Sequence, residues 1–233
     1  MRRAIPTALR QRLYDWSPSR KRRWREVPGQ TTVPASAGAV LTFDDGPDPD
    51  CTPKVLEALG RSGAKATFFV VGEQIGESPE LVAAIAEGGH EVALHGMTHR
   101  RHDLLDAGQA EEELSLGIEA IERHSGRRPT WYRPPFGASS PLLAELCERL
   151  GLGLAYWSAW GQDWEESSGE RIAGLVRRDL RPGAIVLLHD SPRYGQRQSG
   201  DATAEAVPLI AAAAAAQGIE LPTLSAAVGD GRG

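Results

Sequence analysis

Short β-rich runs alternate with helix-length segments along most of this chain, and strict alternation of that kind argues for parallel strands covered by helices, closed or nearly closed into a barrel. The strand-like runs are 39–43, 66–71, 91–94, 130–132, 152–157, 184–188 and a weak one at 219–221. Between them, helical patterning marks 52–62, 79–87, 108–124, 140–150, 169–180 and 203–216. The alanine run 211–216 is a helix-forming stretch and carries no functional signal. An α/β architecture follows, and its chemistry belongs where strands end.

A chain of 233 residues suits one large α/β domain. The expected division is a basic N-terminal arm and linker over 1–36 and a catalytic domain over 37–233. Ile5, Leu9, Leu13 and Trp16 recur at helical spacing beside several arginines, which predicts an amphipathic helix over 4–16. Residues 17–38 are rich in Pro, Gly, Ser, Thr and Arg, which suits an extended connection. Residues 1–30 carry nine Lys/Arg against Asp15 and Glu26, a net +7 that leaves −12 on the rest of a chain whose total is −5. The acidic body argues against nucleic-acid binding; the arm reads as a solvated or docking segment, or as a peripheral contact with an anionic lipid or glycan surface.

At 41% hydrophobic and 24% charged residues the composition is that of a globular protein. No apolar run approaches the roughly 20 residues of a transmembrane helix. Met1-Arg2-Arg3 is followed by no apolar stretch of the kind a secretion signal needs, so the expectation is no cleavable signal and a cytoplasmic location. Cys51 and Cys147 form no metal-type pair, and reduced thiols are expected.

Asp44 and Asp45 stand at the end of the first strand, followed at once by Gly46-Pro47. Adjacent side chains on a strand point to opposite faces, so both carboxylates serve one site only if the chain turns there. One then faces a metal and the other the substrate; the same four residues read equally well as a plain surface turn. His95 and His99 follow the third strand and, with Asp45, make a two-His, one-carboxylate set that leaves positions open for water and substrate. His102 extends the spacing as a less favoured third imidazole, and His90 and His124 read as surface or capping histidines. Arg133-Pro134-Pro135-Phe136-Gly137 follows another strand and offers an ion-pair partner in Arg133 and a backbone N–H at Phe136. Asp163-Trp164 and Leu187-Leu188-His189-Asp190 lie at or after later strands, with His189 as a general acid and Trp164 and Leu187 as an apolar wall. Each cluster alone reads as structural. Five at successive strand ends do not.

These motifs, TFDDGP at 42–47, HGMTH at 95–99, RPPFG at 133–137, DW at 163–164 and LLH at 187–189, resemble in order those of the polysaccharide deacetylases with a NodB homology domain, carbohydrate esterase family four. The resemblance covers about 37–228 and implies a distorted barrel of seven or eight βα units. It implies Asp44 as catalytic base, Asp45, His95 and His99 as metal ligands, His189 as catalytic acid, Arg133 as partner of the base, and Asp163 as the group that orients His189. Trp164 and Leu187 would line the acetyl pocket, and the Phe136 N–H would hold the oxyanion. The implied cofactor is a divalent metal, Zn²⁺ first with Co²⁺ or Ni²⁺ as substitutes, and the implied partner is an N-acetylated sugar. Gly96 stands where the family commonly has Ser or Thr, Phe136 where it often has Tyr, and Trp160 where an Asp is frequent.

The expected activity is therefore metal-dependent hydrolysis of the N-acetyl group of an N-acetylhexosamine-containing glycan or glycoconjugate, releasing acetate. With no export signal expected, an intracellular oligosaccharide, lipid-linked sugar or glycosylated metabolite is the favoured substrate. Two other readings stay open: a catalytically silent glycan-binding module, and an amidohydrolase acting on a small non-carbohydrate amide.

Overall fold

The computed structural model describes residues 27–229, so the amphipathic helix expected over 4–16 lies outside the described residues. Seven parallel strands form one sheet: β1 (Val40–Asp44), β2 (Ala66–Val70), β3 (Glu91–Leu94), β4 (Trp131–Tyr132), β5 (Gly153–Leu154), β6 (Ala159–Trp160) and β7 (Ile185–His189). The helices are α1 (Thr52–Ser62), α2 (Gly72–Glu77), α3 (Pro79–Glu87), α4 (Ala107–Ser125), α5 (Pro141–Arg149), α6 (Gly169–Asp179), α7 (Asp201–Ala215) and α8 (Leu224–Val228). The spatial order is β5-β4-β3-β2-β1-β7-β6.

That order forces the sheet to curl. β5 and β6 are its opposite edges, yet only residues 155–158 separate them. Flat, seven strands would hold these edges about 29 Å apart, whereas the five steps from Leu154 to Ala159 reach at most about 18 Å. A half-closed barrel results. Residues 29–33 strap its open side: Gln30 N–H donates to the Leu154 carbonyl at 2.8 Å, Tyr156 N–H to Gln30 at 2.7 Å, and Val33 N–H to Gly183 at 2.9 Å.

Strand alternation divides the core in two. Leu41, Phe43, Phe68, Val186 and Leu188 face the helices, while Val40, Phe69, Ala93, Trp131 and Ile185 fill the barrel. Below that inner plug, α8 seals the N-terminal end. Leu224 N–H donates to Thr67 Oγ1 at 2.8 Å, Ser225 N–H to Glu91 Oε2 at 3.0 Å, and Trp131 Nε1 to Ser225 Oγ at 3.0 Å. Among the described residues no helix seals the opposite, C-terminal end in this way, and chemistry has room there.

Several expectations change. No strand forms at 219–221: Glu220 and Leu221 each accept one backbone hydrogen bond, from Ala39 and Lys65, but Pro222 has no N–H with which to extend a ladder. The run 152–157 pairs as a strand only over Gly153–Leu154, since Tyr156 turns to the strap. His90 is buried, edge-on to Phe68, and is no surface histidine. Cys51 and Cys147 are free and buried, their thiols both raised to about 12, chiefly by burial.

Candidate active site

The strand register brings the sequence-predicted residues to one end of the barrel. Asp44 is the last residue of β1 and pairs with His189, the last of β7; Leu94 of β3 pairs with Tyr132 of β4, so His95 and Arg133 follow side by side. The paired carboxylates share this face because Asp45 leaves the strand with φ +80°, in the left-handed region. For a non-glycine residue that conformation costs about 1–3 kcal/mol, which the surrounding contacts sustain.

Asp45 Oδ1 lies 3.4 Å from His95 Nε2 and 3.2 Å from His99 Nε2, and ligand atoms of the three residues fall within 4.8 Å of one another. His95 Nδ1 is 2.7 Å from the Arg133 carbonyl, which only accepts, so Nδ1 carries the proton and Nε2 in the neutral ring keeps its lone pair. Asp45 Oδ1 is buried with no hydrogen-bond donor. Two imidazole nitrogens and a carboxylate oxygen converge in a buried pocket, and the set suits a divalent metal with open positions. These residues fit a metal.

Asp44 meets a different partner. Arg133, fully buried, donates from Nη1 to Asp44 Oδ1 at 2.6 Å and to Thr42 Oγ1 at 2.8 Å, and from Nη2 to the Tyr156 carbonyl at 2.8 Å. Its guanidinium lies 4.0 Å from the Phe69 ring centroid. Asp44 Oδ2 stays 3.9 Å from His95 Nε2, beside the metal set without joining it.

His189 completes the opposite wall. Asp163 accepts from its backbone N–H at 2.8 Å and from its Nδ1 at 2.9 Å, leaving Nε2 for the second proton. Burial alone would depress this imidazole, but the Asp163 carboxylate, with Asp45 and Asp44 beyond it, outweighs burial and raises it to about 9. Asp163 is itself held by Thr203 Oγ1 at 2.7 Å and lies 3.6 Å from Arg197. Trp164 packs edge-on to His189 at 5.7 Å, and Leu187 is buried on β7. Phe136, at φ +61°, turns its ring edge-on to His99 at 4.6 Å.

His102 does not reach the metal set; its Nδ1 bonds Tyr132 Oη at 2.8 Å. Residues without a signal in the sequence also take part. Tyr194 stacks on His99 with centroids 4.0 Å apart and donates its hydroxyl to Glu73 Oε1 at 2.6 Å. Arg197 donates to the carbonyls of His189 and Ser191 at 2.8 and 3.1 Å. Both lie in a loop without periodicity, and nothing in their spacing marks them.

A seven-stranded half-barrel with an Asp-His-His set beside an Arg-bound carboxylate and an Asp-bound histidine defines a metal-dependent hydrolase of the α/β-barrel class. Residues 34–155 match the family model for polysaccharide deacetylase. The chain belongs to that family. It is 36% identical over 185 residues to a chitooligosaccharide deacetylase of Bradyrhizobium sp. (strain ANU 289), covering 78% of this chain and 82% of that protein. The crystal structure of the Bc1960 peptidoglycan N-acetylglucosamine deacetylase superposes with a TM-score of 0.81 at 28% identity, covering 91% of this chain and 97% of the other. A family 4 carbohydrate esterase from Streptomyces lividans, in complex with acetate, gives a TM-score of 0.74 at 34% identity over 81% and 94% of the two chains.

Proposed function

We propose that this protein hydrolyses the N-acetyl group of an N-acetylhexosamine-containing oligosaccharide, with Zn²⁺ as the resident metal and Co²⁺ or Ni²⁺ as substitutes. The observation that carries this reading is the separation of two carboxylates: Asp45 faces His95 and His99, while Asp44, one residue away, is held by Arg133. Asp45, His95 and His99 would hold the metal, and two imidazoles with one carboxylate suit Zn²⁺. When bound, such an ion polarises an acetamide carbonyl and lowers the pKa of a water from ~15.7 towards ~7.

In this proposal Asp44 accepts the proton of the attacking water, with Arg133 fixing its second oxygen. The Phe136 N–H donates to the oxyanion. His189, kept protonated near neutral pH by Asp163, delivers its Nε2 proton to the departing sugar amine. Trp164 and Leu187 would form the apolar wall against the acetyl methyl. Acetate and a free amino sugar leave. Kinship with a chitooligosaccharide deacetylase matched over most of its length supports a short glycan as substrate.

The test is acetate release from chitooligosaccharides, peptidoglycan fragments and a simple aryl acetamide, with metal content measured on the same sample. The expected result is release from the oligosaccharide, abolished by a chelator and restored by Zn²⁺. Asp44→Asn should cut the rate by about 10²- to 10⁴-fold, the range of general-base catalysis. Release that survives both treatments would overturn the proposal. Metal-loaded protein that binds glycan and releases nothing would mark a silent binding module, and turnover of the acetamide alone a small-amide hydrolase.

A further inference from the structure

His95 and His99 are held by different means. The ring of His95 is fixed by the end of β3 and by the Arg133 carbonyl. Among the described residues His99 has no such hydrogen-bond partner: its ring is flanked by Tyr194 and Phe136, and its position also depends on the path of the loop that carries it. That loop is gripped from one side by a single buried carboxylate, Glu113 of α4. Its Oε2 accepts from Thr98 N–H at 2.8 Å and lies 3.2 Å from His102 Nε2. Its Oε1 accepts from Thr98 Oγ1 at 3.0 Å and forms an ion pair with Arg100 at 2.8 Å. Both neighbours of His99 in the chain are therefore tied to one side chain.

We infer that Glu113 is the positioning residue for the ligand His99, acting through Thr98 and Arg100. The geometry of two glycines supports a dedicated grip. One turn beyond Glu113, Gly117 lets α4 lie against the loop: a Cβ there would come within 2.4 Å of Leu94 Cδ1 and 3.3 Å of the Gly96 carbonyl carbon. Gly96, at φ +105°, leaves room for His102; a Cβ would lie 2.2 Å from its Cε1. His102 Nε2 then lies 3.2 Å from Glu113 Oε2 and 3.1 Å from the Thr98 carbonyl, while its Nδ1 bonds Tyr132. A buried carboxylate with two hydrogen bonds from Thr98 and two cationic or imidazole nitrogens within 3.2 Å is an anchor that a neutral side chain of equal size does not match, because a carboxylate accepts at both oxygens.

The inference rests on the proposed metal site, and its test separates the two. Zn²⁺ binding to the apo protein is measured by calorimetry, and the visible spectrum of the Co²⁺-loaded form is recorded, for wild type, Thr98→Val and Glu113→Gln. Absence of Zn²⁺ binding by the wild type would overturn the site itself and the inference with it. Given wild-type binding, both variants should bind Zn²⁺ about tenfold or more weakly, the scale seen when groups that orient a ligand are removed. The Co²⁺ spectrum should shift in both variants, a change in the ligand field that a loss of stability alone does not produce. Unchanged affinity and spectrum, with or without a lower melting temperature, would show a merely structural carboxylate and overturn the inference. If Glu113→Gln does not fold, Thr98→Val decides alone.

Discussion

His90 is a buried histidine that the site does not use, and it should give the fold an acid sensitivity of its own. Its ring packs edge-on to Phe68 at 5.7 Å, and Nδ1 finds no partner. Burial, aided by Lys65, lowers it to about 4. Below pH 6.5 the unfolded chain therefore takes up a proton that the native state refuses, so stability falls from pH 6.5 to pH 4 and this group adds nothing further below that. Between pH 7 and pH 5 the loss should be about 1 kcal/mol after solvent screening. In urea titrations His90→Phe should lose that much less than wild type over the same interval; parallel losses would refute the assignment. At this scale the positions of Asp44, Asp45, His95, His99, Arg133, Asp163 and His189 are legible in the sequence, because each polar residue lies at or soon after a short strand-like run. Glu113 is not. It reads as one of three consecutive acids on a helix, and only the fold shows that it is buried while Glu111 and Glu112 are not.

Helix α4 shows which elements the sequence discloses and which it hides. Asp106 accepts from Gln109 N–H at 2.9 Å while Gln109 Oε1 accepts from Asp106 N–H at 3.4 Å, and Gly126 ends the helix in a left-handed conformation. Between these signals Ala110, Leu114, Ile118 and Ile121 repeat on one buried face, so the helix is readable at both ends and along its length. Asp106→Ala should cost about 1 kcal/mol in urea unfolding, and Asp106→Ser should recover most of it. Equal midpoints for wild type and Asp106→Ala would show that packing alone sets the helix start. The five residues of α8 and six of α2 are too short to display a period, and two-residue β6 owes its place to pairing with β7 rather than to local preference. The absent strand at 219–221 errs the other way, since apolar character there serves packing without a ladder to join.

Across the whole molecule, the half-closed barrel makes the segment before β1 part of the body. Val27 and Val33 are 7% and 6% exposed, and residues 29–33 bridge the chain beside β5 to the turn before β7. Burial of each valine contributes about 1.5–3 kcal/mol at full exposure of the alternative, and the strap also covers backbone groups at an open sheet edge. The basic charge lies ahead of it: residues 1–26 contain all nine Lys/Arg of the first thirty. We propose that this arm meets an anionic surface, at up to about 1 kcal/mol per basic residue close to a membrane. Two truncations separate the roles. Removing residues 1–26 should abolish co-sedimentation with phosphatidylglycerol vesicles at low salt, with no effect on phosphatidylcholine controls. Removing residues 1–33 should in addition lower the melting temperature, because the strap and both valines go with it. Vesicle binding that persists in the shorter truncation would place the attraction elsewhere on the molecule, and an unchanged melting temperature in the longer one would mean that the barrel holds its curvature without a strap.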